Sequence, residues 1–356
     1  MKVLISGICG FVGSLIARHL LQSDPTIEII GLDNLIRPGS YLNTDPLRDL
    51  GVKLRHADVR NASDLETLPT IDWIIDAAAN ASVLAGVEGD TTSRQLVQHN
   101  LDGSINLLEV AKKYKACFSL LSTSRVYSIE TLAALPVVEK NGAFHLARDA
   151  RLPPGVSAEG IAENFSTAAP ISLYGATKLA SEILALEYGS VFDFPVWINR
   201  CGVLAGAGQF GRPDQGIFAY WINAYLRGAP LKYIGFKGMG LQSRDCLHPR
   251  DLVPLLIRQF RSSERNKPRV VNLGGGVDNS MSLLQLSRWS ATRFGEREIA
   301  AELRPRPFDL PWVVMDSRLA EQAWDWRPGT NLEDILGEIA SHAEANPKWL
   351  QLSAPL

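Results

Sequence analysis

Tyr174 and Lys178 stand four residues apart in Tyr174-Gly-Ala-Thr-Lys178, a spacing that sets a phenol and an ammonium on one face of a helix. A free phenol ionises near pH 10, so using Tyr174 as a proton acceptor near neutrality means stabilising its anion by about 4 kcal/mol. A neighbouring ammonium, helped by a positively charged cofactor ring, is an environment that does this. The plain alternative is an exposed Tyr and Lys on an ordinary helix. Leu121-Ser-Thr-Ser-Arg-Val-Tyr127 argues against it. Its hydroxyls follow an apolar run and would emerge at the carboxyl end of a strand, where open α/β sheets bind ligands. Taken singly, such a cluster reads as a turn or a cap. Beside Tyr174 it supplies a hydroxyl able to bridge a substrate oxygen and the phenol.

A second constellation lies at the N-terminus, where Gly7-Ile-Cys-Gly10-Phe11-Val12-Gly13 follows an apolar run and opens a helical pattern. Gly7 permits a tight turn, Gly10 lets a pyrophosphate approach the backbone, and Gly13 lets helix and strand pack closely. Free N–H groups at the helix start face the phosphates. About 20 residues on, in the position that accepts hydrogen bonds from an adenosine ribose, stands Asp33 of Gly31-Leu-Asp33-Asn34. A carboxylate there repels a 2′-phosphate, so NAD(H) is favoured over NADP(H), with Arg37 as the one nearby residue that speaks for the phosphate. A ligand-free glycine turn and an Asp33 that only caps a turn are the alternatives.

The elements that must position these residues follow from the hydropathy pattern. Apolar runs at 3–6, 27–32, 52–56, 73–76, 117–122 and 195–199 alternate with helical patterns at 12–22, 94–114, 175–188 and 251–260. Such alternation predicts an α/β fold, a Rossmann-type doubly wound parallel sheet. Residues 202–240 are glycine-dense with clustered aromatics, and the tail carries Arg304-Pro-Arg306-Pro. The expected division is an NAD-binding domain from 1–201 with 241–275 and a smaller C-terminal substrate-binding lobe from 202–240 with 276–356. Within the first, 128–172 is rich in Pro, Gly and Ala and reads as a long structureless insertion over the site.

Composition narrows the class. With 356 residues, 46% hydrophobic, 21% charged and a net charge of −2, the chain is an ordinary soluble globular protein with no field to attract nucleic acid. The apolar start reads as a first strand, too short for a signal segment, and no run of about 18 apolar residues points to a membrane span. Cys9, Cys117, Cys201 and Cys246 are scattered without a C-x-x-C pair, so neither a metal site nor a disulfide framework is indicated and a cytoplasmic location is expected.

Taken in order, the glycine loop, Asp33, Asp58-Val59, Ala77-Ala78-Ala79, Thr123 with Val126-Tyr127, and Tyr174 with Lys178 resemble the extended short-chain dehydrogenases/reductases, the NAD-dependent epimerase/dehydratase family, over nearly the whole chain. Gly208-Gln-Phe210 with Asp214-Gln-Gly216, Gln242-Ser-Arg-Asp-Cys-Leu-His248, Asn272-Leu-Gly-Gly-Gly276 and Asn279-Ser-Met-Ser-Leu283 resemble its CDP-paratose 2-epimerase (CDP-tyvelose epimerase) branch.

The resemblance implies Thr123, Tyr174 and Lys178 as the catalytic group. It implies NAD contacts from Gly7, Gly10, Phe11, Val12, Gly13, Asp33, Asn34, Asp58, Val59, Ala77, Ala78, Ala79 and Asn100. Arg244 would bind the nucleotide diphosphate, a role suited to a guanidinium; its alternative is a surface arginine paired with Asp245. Ser124, Arg125, Asn199, Arg200, Gln209, Asp214 and Gln215 would face the sugar nucleotide, although polar residues at 209, 214 and 215 also serve as turn formers. Ser124-Arg125 replaces the Asp-Glu pair of the sugar 4,6-dehydratases, so the acid and base for eliminating water are missing. The implied activity is NAD-dependent epimerisation of a nucleotide-diphosphate hexose through a transient ketone. Competing readings are a net dehydrogenase or ketoreductase and a non-catalytic cofactor or nucleotide sensor. A homodimer or homotetramer built on helices 94–114 and 175–188 is implied, with no nucleic-acid or membrane partner.

Overall fold

Seven short strands, buried on both faces at their centre, form the main sheet of the computed structural model, which describes residues 1–88, 91–264 and 266–354. They are β1 (Lys2–Ser6), β2 (Glu28–Asp33), β3 (Lys53–His56), β4 (Trp73–Asp76), β5 (Cys117–Thr123), β6 (Val196–Cys201) and β7 (Val270–Leu273). Their order is β7-β6-β5-β4-β1-β2-β3 and every pair is parallel. Chain order reverses between β1 and β4, which opens a crevice beyond their carboxyl ends. One apolar layer lies under the helices Phe11–Ser23 and Leu252–Arg261, the other under Gly103–Tyr114 and Ser172–Phe192. A doubly covered sheet explains why the strands read as continuous apolar runs rather than alternating ones.

The helical stretch expected at 94–114 is interrupted. Ser93–Val97 and Gly103–Tyr114 are α-helical, but Gln98–Asp102 between them is a π-turn. A widened turn strands a backbone carbonyl, and the hydroxyls of Ser104 and Ser181 both donate to the oxygen of Asn100, at 3.0 and 3.1 Å.

The second lobe is a small mixed sheet of Val203–Leu204, Ser243–Leu247, Ser280–Ser282 and Trp312–Val313, covered by the helices Ile217–Leu226, Leu283–Phe294 and Leu332–Ala345. Two segments depart from the expected division. Ser243–Leu247, assigned from sequence to the cofactor domain, pairs antiparallel with Ser280–Ser282 in the second sheet. Arg318–Trp324, assigned to the substrate lobe, packs beneath the main sheet, where Trp324 meets Trp197 edge-on at 4.9 Å. Lobe membership follows pairing partners, and neither segment's partner is near it in sequence.

The 128–172 stretch is likewise not structureless. It folds into the helix Ile129–Ala133 and two hairpins, Val137–Lys140 with Ala143–Leu146 and Val156–Ser157 with Gly160–Ile161. Leu132, Leu135, Ile161 and Phe165 are buried against residues 312–315, and the Ile161 amide donates to the Val314 carbonyl at 2.8 Å. Its strands are too short and too poorly alternating to be seen without those distant partners.

Candidate active site

A cleft of about 900 Å³ runs between the two lobes, at the carboxyl ends of the main strands. Its cofactor end is built on close backbone approaches. Gly7 has a φ of +62°, and a Cβ there would lie 2.8 Å from the Ala78 Cα. A Cβ on Gly13 would lie 2.4 Å from the Gly7 carbonyl oxygen. The helix Phe11–Ser23 starts at Gly10 with no side-chain cap, and its first intrahelical bond is Ser14 N to Gly10 O at 3.0 Å. The amides of Phe11, Val12 and Gly13 therefore have no acceptor within the helix and face the cleft. That cradle fits a pyrophosphate.

Asp33 closes the adenosine end. Its carboxylate accepts from Cys9 N at 2.9 Å and Leu35 N at 2.8 Å, while burial raises its pKa and these amides oppose the rise. Asn34 donates to Asp58 at 3.0 Å, and Arg60 clamps the same carboxylate, holding it well below the usual carboxylate range. Val59 and Ala77–Ala79 line the cleft, the latter turn braced by Ser6, whose hydroxyl accepts from Ala77 N and Ala78 N and donates to Asp76. Arg37 spends its guanidinium on Gln215, at 2.8 Å, and on the Phe210 carbonyl, so it is committed to the other lobe rather than to a 2′-phosphate. Asn100 requires correction. Fully buried on the π-turn, it holds Asn80 N at 2.8 Å and donates to Thr177 at 3.2 Å, so it shapes the wall and does not line the cleft.

Replacing Asp33 with Ala is expected to weaken NAD binding about 10- to 150-fold, the range for a hydrogen bond to a charged group. Titrating cofactor-stripped protein with NAD measures this; unchanged affinity would remove Asp33 from the ribose contact.

Thr123 ends β5, and Tyr174 and Lys178 lie on the buried face of the helix Ser172–Phe192. Tyr174 opens on the cleft, whose wall also carries Thr123. Burial pushes its phenol up to about 12, against the pull of the nearby Thr123 hydroxyl and the Arg125 guanidinium. At neutral pH it thus stays protonated until another positive charge comes beside it. Burial lowers the pKa of Lys178, which is 1% exposed, and the charges of Asp76 and Glu182 oppose that fall. Asp76 is itself fixed by the hydroxyls of Ser6 and Ser104 at 2.8 and 2.6 Å.

Two residues expected at the substrate lie elsewhere. Neighbours on a strand point to opposite faces. Asn199 therefore faces the Leu252–Arg261 helix and forms a reciprocal amide pair with Gln259 at 3.0 and 2.9 Å. Arg200 faces the helix Ser172–Phe192 and grips Glu182 at 2.7 Å, with Tyr127 Oη at 3.3 Å. Both are buried and neither lines the cleft.

Ser124, Arg125, Gln209, Asp214, Gln215 and Arg244 do line it, and so do Arg306 and Asp309, which sequence reasoning did not assign. The available signal was the arginine flanked by prolines in the tail. Arg244 pairs with Asp309 at 2.9 Å, not with Asp245. Asp245 turns the other way, accepting from Met315 N at 3.2 Å, and burial pushes it up to about 7. Arg125 donates to the Phe308 carbonyl at 3.2 Å, and burial with the nearby Arg244 lowers it to about 10. Three guanidiniums against one carboxylate leave this part of the cleft positive, which suits a diphosphate. The lobes are tied across the cleft by Arg37 to Gln215 and Ser82 to Asp214.

Residues 3–274 match the model of the NAD dependent epimerase/dehydratase family. The chain belongs to this family. It is 27% identical over 349 residues to the CDP-paratose 2-epimerase of Salmonella typhi, covering 94% of this chain and 96% of that protein. To the dTDP-glucose 4,6-dehydratase of Salmonella typhimurium it is 24% identical, covering 98% and 94%. Among solved structures, the UDP-glucuronic acid 4-epimerase from Bacillus cereus in complex with UDP-glucuronic acid and NAD superposes with a TM-score of 0.75 at 26% identity, covering 97% and 99%. Membership in this family makes NAD the cofactor, and the glycine cradle and Asp33 fit it. No helix among the described residues is long and apolar enough to cross a membrane, and no cluster of His, Cys, Asp and Glu among them could hold a metal ion.

Proposed function

We propose that this protein inverts a hydroxyl-bearing carbon of a nucleotide-diphosphate hexose, in the manner of a CDP-paratose/CDP-tyvelose-type 2-epimerase. The observation that carries this reading is that Tyr174 and Thr123 open on the same cleft that holds the glycine cradle and the arginine cluster. Bound NAD supplies the capacity to take up a hydride from the alcohol carbon and to return it. Tyr174 takes the hydroxyl proton as the carbon is oxidised and gives it back on reduction, with Thr123 orienting the oxygen. Lys178 places positive charge behind the phenol. The resulting ketone turns over and is reduced on its opposite face, so the cofactor ends as it began.

Shielding the ketone does not fall to 128–172, none of whose residues line the cleft. It falls to the loop at 208–216, latched by Gln215 to Arg37 and by Asp214 to Ser82. That loop is also the segment whose pattern most resembles the CDP-paratose branch. Elimination of water is disfavoured because Ser124 and Arg125 occupy the cleft wall where a dehydratase carries its acid and base, and a guanidinium does not shuttle protons near pH 7.

The test is NMR of CDP-, UDP-, GDP- and dTDP-hexoses with the purified enzyme in deuterated water and no added cofactor. A new epimer without deuterium at the inverted carbon is expected, and its coupling pattern names that carbon. Turnover only with external NAD or NADH, and net redox change, would make this a dehydrogenase or ketoreductase. A 4-keto-6-deoxy product would make it a dehydratase, and no conversion under any of these conditions would leave the sensor reading.

A further inference from the structure

The loop at 208–216 is tied to the cofactor domain at two points that flank the glycine cradle. Arg37, four residues beyond Asp33 at the end of β2, donates to Gln215 at 2.8 Å and to the Phe210 carbonyl. Ser82, three residues beyond Ala79 in the stretch that follows β4, donates to Asp214. Between β2 and β4 in the sheet lies β1, whose carboxyl end carries the cradle. A dinucleotide held at Asp33 and reacting beside Thr123, at the end of β5, has to cross the interval between these two tethers.

The Arg37 side of the interval is packed as well as hydrogen-bonded. Asn43 donates to the Cys9 carbonyl at 2.9 Å, which fastens the segment after β2 to the glycine loop. Gly39 has a φ of +85°, and a Cβ there would lie 2.7 Å from the Phe210 ring. Within the loop, Arg212 and Gln215 exchange backbone hydrogen bonds at 2.7 and 3.2 Å, closing it into a tight turn.

A third segment, the helix Trp349–Ser353, holds the loop from outside the cleft. The Trp349 indole N–H donates to the Gln209 carbonyl at 2.8 Å, its ring stacks on Phe210 at 5.1 Å, and Arg212 donates to the Ser353 carbonyl at 3.0 Å. Trp349 is itself buried and meets His342 edge-on at 4.5 Å. Phe210 thus carries both fastenings: its carbonyl receives Arg37 and its ring receives Trp349. A shift of Trp349 reaches Arg37 through one residue.

We infer that the loop is a clasp closed over bound NAD, that the cofactor leaves only when the Arg37 and Ser82 tethers part, and that the helix Trp349–Ser353 sets how readily they do. The clasp needs NAD in the cradle and none of the chemistry proposed above. Retention of the cofactor then depends on segments distant in sequence from the cradle.

The experiment is a chase of NADH-loaded full-length protein with excess NAD, in the absence of substrate, following the fluorescence of the bound nicotinamide. Arg37→Met is expected to release NADH about ten- to a hundredfold faster than wild type, the range for losing hydrogen bonds made by a charged group. Trp349→Leu is expected to release it about tenfold faster although Trp349 does not line the cleft. Joining the two should add little to the faster single variant, because both act through the same loop. Melting temperature and NADH stoichiometry show that each variant is folded. Should either fail to fold, Ser82→Ala replaces Arg37→Met and Trp349→Phe, which loses the indole donor and keeps the stack, replaces Trp349→Leu. Release from the tether variant within about threefold of wild type would overturn the clasp. Unchanged release from the Trp349 variant, or effects that multiply in the double variant, would overturn the control by the C-terminal helix. Either result leaves the proposed function standing, and failure of the epimerase reading in the NMR experiment leaves these rates as they are.

Discussion

Tyr174→Phe is expected to lower kcat by about 10²- to 10⁴-fold, the usual contribution of a positioned acid–base group, with NAD content and melting temperature close to wild type. Phenylalanine keeps the ring packed in a site where Tyr174 is 7% exposed and removes only the hydroxyl. The pH dependence carries more information than the loss. Burial holds the free phenol up at about 12, so activity near neutrality depends on positive charge gathered around it. The rate should therefore rise with pH as the phenol ionises, and Lys178→Met should move that rise to higher pH. Activity of Tyr174→Phe within threefold of wild type would sink the catalytic assignment, and an unchanged pH profile in Lys178→Met would remove Lys178 from the charge argument.

Arg200→Met is expected to destabilise the NAD-loaded protein by about 3–5 kcal/mol, because it leaves Glu182 as an uncompensated buried charge. Glu182 and Arg200 have side chains only 2% and 9% exposed, and the carboxylate also receives the Ser122 hydroxyl. Removing both charges, in Glu182→Gln with Arg200→Met, should recover much of that loss, since a buried pair contributes little net stability against neutral partners of similar size. Urea unfolding followed by tryptophan fluorescence reads both. A single variant as stable as wild type would show that the ion pair is not buried as described. Because Glu182 lies one helical turn beyond Lys178, the pair also braces the helix that carries Tyr174 and Lys178 against β6.

The alternation of strands and helices along the first 200 residues, the glycine cradle and the Tyr174–Lys178 spacing were legible because each is a local pattern. A doubly buried parallel strand is a short apolar run, a pyrophosphate cradle is three glycines before a helix, and a four-residue interval is one helical turn. Residues 124, 125, 209, 214, 215 and 244, expected to face the sugar nucleotide, line the cleft. Asn199 and Arg200 were misplaced for an equally local reason. Sequence shows that a strand ends there, but not that the residues just before its end point into the two helix layers instead of out of the sheet.

The sequence by itself determined the fold class, the glycine turn at 7–13 and the one-turn spacing of Tyr174 and Lys178, because those depend on backbone conformation and on residues close together in the chain. Tertiary structure alone decided which arginines gather on the cleft wall, which loop is tied across the cleft, and where 128–172 folds. Arg125, Arg244, Arg306 and Asp309 come together from three separated segments, and 128–172 folds against residues 241–243, 282–285 and 312–315, far from it in sequence. Contacts of that range satisfy buried charges and backbone amides that no local pattern records.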